Sequence, residues 1–153
     1  MAPHEPSKTL EGRIGGLLAG QTLGVLATSD GGQPYTSLVG IAASEDLRQI
    51  VFATPRTTRK WANLRADSRA SILVDNRSNE VADFREAMAV TIIGAARILR
   101  KNRRSRLYQL YLGRHGHLAD FVAAPTTDLI CLEVHSIYAV ERFQHVTELH
   151  FRR

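Results

Sequence analysis

The chain has 153 residues and a mass of 17.0 kDa, the size of one domain. Its 44% hydrophobic and 23% charged residues are those of a globular protein, which excludes a chain dominated by disorder or low complexity. The longest apolar stretch, Ile14 to Ala27, runs for 14 residues and is interrupted by Gln21 and Thr22, too short for a membrane-spanning helix. The opening MAPHEPSKTL lacks the charged, apolar and small-residue succession of a secretion signal. A lone cysteine, Cys131, leaves no intramolecular disulfide, and a cytoplasmic protein is the expectation. Twenty Lys plus Arg against fifteen Asp plus Glu give a net charge of +5, and seventeen of the twenty cations are Arg. Such a surplus favours an anionic partner: a phosphate-bearing cofactor, an acidic substrate or nucleic acid.

Residues 1–6 carry two prolines and read as a loose arm on a single domain spanning 1–153. Ser7 can cap a helix with Leu10, Ile14, Leu17 and Leu18 on one face. Thr22 to Thr28 reads as a strand, Ser29 to Gly32 as a glycine hairpin turn, and Pro34 to Ala43 as the returning strand. A polar turn at Ser44–Asp46 leads to a third strand, Gln49 to Thr54. Thr57 or Thr58 opens a short helix to Ala66, and Ala70 to Val74 is a buried strand ending in the polar run from Asp75 to Asn79. A helical turn over Val81 to Glu86 precedes a long strand, Ala89 to Leu99. Asn102 can cap a helix bearing Leu107, Leu110 and Tyr111, with a further helical turn over His117 to Ala123. Leu129 to Val134 is a strand, and Ser136 to Val140 continues it or hairpins from it. Sequential strands without βαβ alternation predict a mainly β fold, a small antiparallel barrel of about six strands with flanking α-helices.

No phosphate-binding GxxxxGK[ST], no GxGxxG behind a strand and no GxSxG is present. His115 and His117 are the only closely spaced histidines and have no third ligand nearby, so no metal site is expected. Cys131 alternates within LICLEV like a core residue. No catalytic side-chain unit stands out, and an enzyme of this sequence would borrow its chemistry from a cofactor. One segment does carry a signal. Thr54-Pro55-Arg56-Thr57-Thr58-Arg59-Lys60 leaves a strand, turns at a proline and enters a helix. A helix start presents unpaired N–H groups and partial positive charge, and three cations there suit a bound dianion.

The ordered series GVLAT, a GG turn, PYTSLVG and QIVFATPRTTRKWANLRADSRASILVDN resembles the FMN-binding split barrels of the pyridoxamine 5′-phosphate oxidase-like family. The matching positions are Thr54, Thr58, Arg59, Lys60, Leu64, Asp67 and Arg69, then Ser71 to Val74, and the likeness is good from about Thr22 to Arg100. The resemblance implies a six-stranded antiparallel split β-barrel and a homodimer with FMN near the subunit interface. It implies phosphate contacts from Thr58, Arg59 and Lys60, with Thr54 near the ring or ribityl chain. It also implies Thr36, Ser37 and Leu38 along the isoalloxazine, and Asn76, Arg77 and Ser78 meeting the flavin, across the dimer if not within the chain. The implied activity is that of an FMN-dependent oxidoreductase on a small molecule, its catalytic residues unassigned. The alternative is a non-catalytic carrier or sensor of flavin or haem on the same barrel.

The sequence departs from the family where pyridoxamine phosphate would bind. Ser37 to Ala43 contains no Arg or Lys, Arg142-Phe143-Gln144-His145 has the wrong spacing for the family's C-terminal motif, and the only Trp is Trp61. Synthesis of the vitamin is therefore not implied. Arg100, Lys101, Arg103, Arg104 and Arg106 form a basic run that reads as a solvated face, with an acidic or deazaflavin-like ligand as the sharper reading. No recognition helix or aromatic platform adjoins it, so nucleic acid is not the expected partner.

Overall fold

A computed structural model describes residues 9–142 and 144–152. The expected arm over 1–6 and the Ser7 cap lie outside the described residues. Helix α1 (Leu10–Gly20) instead begins at Thr9, whose side chain accepts from the Gly12 N–H, and buries Ile14, Leu17 and Leu18. Strands β1 (Leu23–Asp30) and β2 (Gln33–Gly40) form a hairpin across Gly31 and Gly32. Both glycines have positive φ (54° and 90°), which a two-residue hairpin turn requires. The expected strand through Ala43 breaks at Ile41 into β2 and a two-residue β3 (Ala42–Ala43), which pairs with β4 (Gln49–Pro55). Helix α2 (Arg59–Ala66) follows, then β5 (Arg69–Asp75), a single turn α3 (Asp83–Glu86) and β6 (Ala89–Ile98).

Helix α4 (Arg106–Arg114) starts at Ser105, three residues after the expected Asn102. Ser105 Oγ accepts the Tyr108 N–H, whereas the Asn102 side chain accepts from Arg104 in the preceding turn. A 3₁₀ turn (Gly116–Leu118) and α5 (Ala119–Ala123) lead to β7 (Thr127–Glu141) and β8 (His145–His150). Of the two arrangements open to Ser136–Val140, continuation is the one found: β7 is a single strand of 15 residues.

The eight strands form one antiparallel sheet in the order β2-β1-β5-β6-β7-β4-β3, with β8 also on β7. This is the mainly β, curled half-barrel with flanking helices that the sequence implies, with two strands more than the six expected. β6 runs along one edge of β7; β4 occupies the other edge over residues 127–133 and β8 over residues 136–141. Inside the curl, Leu26, Ile72, Ile92 and Ile137 are in register across four strands and fully buried, closed off by α1 and by Leu64 of α2. Side chains of this size contribute roughly 1.5–3 kcal/mol each when fully buried. A second cluster lies on the outer face of β3, β4 and the first half of β7. There Val51, Leu129 and Cys131 pack under Leu107, Tyr108 and Tyr111 of α4 and Val122 of α5.

The outer face of the remaining strands is bare. Leu38, Val25, Leu73, Thr91, Tyr138 and Glu148 form one row across β2, β1, β5, β6, β7 and β8. Thr36, Ala27, Ser71, Ile93, Ser136 and His150 form the next. Leu38 is 64% exposed and Val146 55%, and Leu23, Leu73, Ile93 and Val140 are exposed beside them.

The covered and bare halves of β7 meet at a bulge, where the β6–β7 register shifts between Ile93 and Gly94 and His135 becomes the extra residue. Gly94 is required there: a Cβ would stand 2.0 Å from the Glu133 carbonyl oxygen. Gly94→Ala is expected to lower stability by about 3 kcal/mol, the upper end for overpacking because backbone must move, as measured by urea denaturation.

Candidate functional site

The turn from β4 into α2 is built around a carboxylate. Asp128, at the start of β7 and only 5% exposed, accepts from Arg56 Nε (3.0 Å) and Nη2 (2.9 Å) on one oxygen. Its other oxygen accepts from Trp61 Nε1 at 2.7 Å. The Arg56 N–H donates to the Thr126 carbonyl, so both ends of the turn are tied to β7. Burial works against the charge of Asp128, but the bonds from Arg56 and Trp61 outweigh it and hold the carboxyl below its ordinary value. One of the three cations at the helix start is thus committed to the fold.

Within this frame the hydroxyls of Thr54 and Thr58 meet at 2.7 Å, and both lie within hydrogen-bond distance of the Pro55 carbonyl. Thr58 also caps α2, accepting from the Trp61 N–H at 3.3 Å. The N–H groups of Arg59 and Lys60, first and second in the helix, have no acceptor within it. From the opposite flank, Asn63 Nδ2 donates to Thr28 Oγ1 at 3.0 Å in a buried bond that fixes α2 against β1. Arg59 leans toward the hairpin, 3.8 Å from Asp30 and 5.8 Å from the Tyr35 ring centroid. An open groove of about 380 Å³ follows this flank of α2, lined by Asp30, Thr57, Thr58, Arg59, Ala62, Asn63 and Ala66. Among the described residues no hydrogen bond or ion pair engages the half-buried Lys60 side chain.

Thr54, Thr58, Arg59 and Lys60 are therefore brought together, and the other sequence-selected residues lie elsewhere. Thr36 and Leu38 project from the bare outer face, whereas Ser37, in register with buried Leu26, points into the curl. Among the described residues its buried hydroxyl has no hydrogen-bond partner. Asn76, Arg77 and Ser78 sit at the far end of the sheet. β1 and β5 pair so that Asp75 is level with Leu23, seven residues from Asp30, which puts that end about 23 Å away at ~3.3 Å per residue.

All three also hold their own segment. Asn76 Oδ1 accepts the Met88 N–H, Arg77 pairs with Asp75 at 3.0 Å, and Ser78 donates to Asp83. Asp30, Tyr35, Asn63 and Asp128 were not apparent from the sequence. Their signal is three-dimensional, apart from the position of Asp30 beside the hairpin glycines.

Other candidates resolve into structural roles. His115 spends Nε2 on the Ile41 carbonyl at 2.8 Å and packs on Tyr111. Cys131 is fully buried, and burial together with Glu133 pushes its thiol up to about 12, so it is not a nucleophile at neutral pH. In the basic run, Lys101 donates to the Val122 and Ala124 carbonyls and Arg106 to Gln49, leaving Arg100, Arg103 and Arg104 exposed. On the outer face, Ser136 Oγ lies 2.9 Å from His150 Nδ1, and His150 Nε2 lies 3.0 Å from Glu148. Among the described residues no helix is long and apolar enough to cross a membrane.

A half-barrel with a bare apolar face and a basic strand-to-helix turn defines the split-barrel class. The sequence profile of the family described as Pyridoxamine 5′-phosphate oxidase matches residues 10–141, and the chain belongs to that family. Among solved structures it is similar to a heme binding protein from Mycobacterium smegmatis, with a TM-score of 0.80 and 18% identity over 94% of this chain and 59% of that one. It is also similar to HutZ, the heme storage protein of Vibrio cholerae (TM-score 0.64, 17% identity, 82% of this chain and 90% of that one). A third relative is an FAD-binding protein from Mesorhizobium loti (TM-score 0.64, 18% identity, 81% and 88%). At these identities the likeness is one of fold, and the chain spans less than two thirds of the length of the mycobacterial protein. Among curated proteins no relative is found.

Because Asp128 is depressed in the fold, its stabilising effect is present above the unfolded carboxyl value and disappears as pH falls through the folded one. Asp128→Asn is expected to be about 2 kcal/mol less stable at pH 7. That gap should narrow below about pH 4, near the unfolded Asp value, in urea denaturation followed across pH.

Proposed function

We propose that the chain is a homodimeric FMN-binding flavoprotein, an oxidoreductase acting on a small molecule. The carrying observation is the first turn of α2, which puts Arg59, Lys60, the Thr58 hydroxyl and two N–H groups without helical acceptors at the same helix start. That donor set fits a phosphate monoester: a guanidinium that can grip two oxygens, a point charge and the positive end of a helix. Flavin binding is in keeping with the family and with the FAD-binding relative. Bound flavin supplies the electron transfer for which the protein has no side-chain unit. The side chains anchor the phosphate, and Thr36 and Leu38 with Val25, Ala27 and Leu73 offer an apolar wall interrupted by small polar groups. Pyridoxamine phosphate is not the proposed substrate, because Ser37 to Ala43 contains no cation.

A second copy covers the bare sheet face in this reading. Six large apolar side chains exposed on one face form the kind of patch that marks an interface. Asn76, Arg77 and Ser78, about 23 Å from the cradle by strand rise, reach a flavin only from the partner chain. The buried, unpaired Cys131 suits the reducing cytoplasm, where we place the protein. Nucleic acid and membrane are not proposed as partners.

A specific observation favours a second reading, a haem carrier. His150, hydrogen-bonded to Ser136 and Glu148, stands on the same apolar face, and two structural relatives are described as haem-binding or haem-storing.

Lys60→Ala and Arg59→Ala should each weaken FMN by about 1.5–3 kcal/mol, more than tenfold, while riboflavin affinity stays the same, by fluorescence titration. FMN affinity as indifferent as that of riboflavin rejects the phosphate assignment. A Soret band on haem titration that His150→Ala removes would select the carrier instead. Leu73→Asp, on the exposed face, should turn the dimer into a folded monomer in sedimentation velocity; a wild-type monomer would refute the dimer.

A further inference from the structure

The groove beside α2 does not end at the cradle. Thr58 and Arg59 belong to both, and beyond them the groove continues between α2 and the β1–β2 hairpin to Ala66. Its volume of about 380 Å³ lies within the range of small-ligand sites. A phosphate monoester held at Thr58, Arg59 and Lys60 would leave the stretch beyond them, along Ala62, Asn63 and Ala66, unused.

The lining is chemically mixed, and each part has a counterpart in one ligand class. Asp30 offers an acceptor-only carboxylate at the groove's hairpin side, the group that recognises a ribose diol in dinucleotide sites. Arg59 stands between the cradle and Asp30, 3.8 Å from that carboxylate, and can serve a second phosphate while remaining beside it. Thr57 also lines the groove. Further along, Ala62 and Ala66, one turn apart and both exposed, leave a flank of the helix low enough for a flat base. Asn63, buried and bonded to Thr28, keeps that flank at a fixed distance from the hairpin.

We infer that this groove is a nucleotide subsite, accepting the adenylate half of a flavin dinucleotide whose flavin phosphate occupies the cradle. The inference rests on the flavin reading and extends it from a mononucleotide to a dinucleotide. No bond is made or broken in the groove; it adds affinity and selects the form of the cofactor.

The test compares FAD, FMN and ADP by isothermal titration calorimetry on the full chain. In the wild type FAD should bind at least tenfold more tightly than FMN, and ADP should bind and compete with FAD. Ala62→Trp should remove the advantage of FAD while leaving FMN affinity unchanged. Ala62→Leu, a milder change at the same exposed position, should do so in part, and far-UV circular dichroism checks that both are folded. Asp30→Ala should lower the preference for FAD over FMN, a ratio in which its general repulsion of phosphate largely cancels. FAD binding no tighter than FMN, or Ala62 variants that weaken both flavins alike, would overturn the subsite and leave the FMN reading standing. Failure of both flavins to bind would remove the two together.

Discussion

The position of the basic turn depends on one buried carboxylate. Asp128 sits at the first pairs of the β4–β7 ladder and takes three hydrogen bonds from the two ends of the turn that follows β4. A proline turn leading into a helix of eight residues has little stability of its own. Tied to Asp128 through Arg56 and Trp61, and to Thr28 through Asn63, it presents Thr58, Arg59 and Lys60 in one orientation. The cost of burying the charge of Asp128 is offset because every bond it accepts comes from the segment it must hold.

The same interaction separates two kinds of arginine that the sequence leaves alike. Arg56 and Arg59 stand three residues apart beside the same helix start. Arg56 is bound through Nε and Nη2 to one oxygen of a buried carboxylate, whereas Arg59 has a long contact to an exposed Asp30 and stands 5.8 Å from the Tyr35 ring centroid. An exposed pair of that kind contributes little and is readily exchanged for a stronger anion. Local spacing cannot separate them, because Asp128 lies 72 residues from Arg56.

Much of the architecture was nevertheless legible. The glycine hairpin, the helix capped at Thr58 and the alternating apolar strands all follow from local chemistry and appear close to where the pattern puts them. Asn102 and Ser105 are both competent caps by residue type, and the packing of Leu107, Tyr108 and Tyr111 chooses the second. Whether Ser136–Val140 continues the preceding strand or turns back is not decided locally at His135; pairing with β6 and β8 makes it continue through the bulge. For the site, the cluster of Thr54, Thr58, Arg59 and Lys60 was readable as a motif. The separation of Asn76, Arg77 and Ser78 from it was not, since it follows from the antiparallel register of β1 and β5.

The bulge opposite Gly94 also divides the molecule by the kind of selection each part experiences. Up to Val134, β7 is clothed on both sides within a single chain, by the inner core and by α4 and α5. After His135 its outer side chains, Ser136, Tyr138 and Val140, have β6 and β8 on either side but, among the described residues, no helix over them. Changes in the first half must be absorbed by the folding of each chain alone. Those on the outer side of the second half are free to drift with whatever the face meets, so relatives can keep one barrel while exchanging partners and ligands.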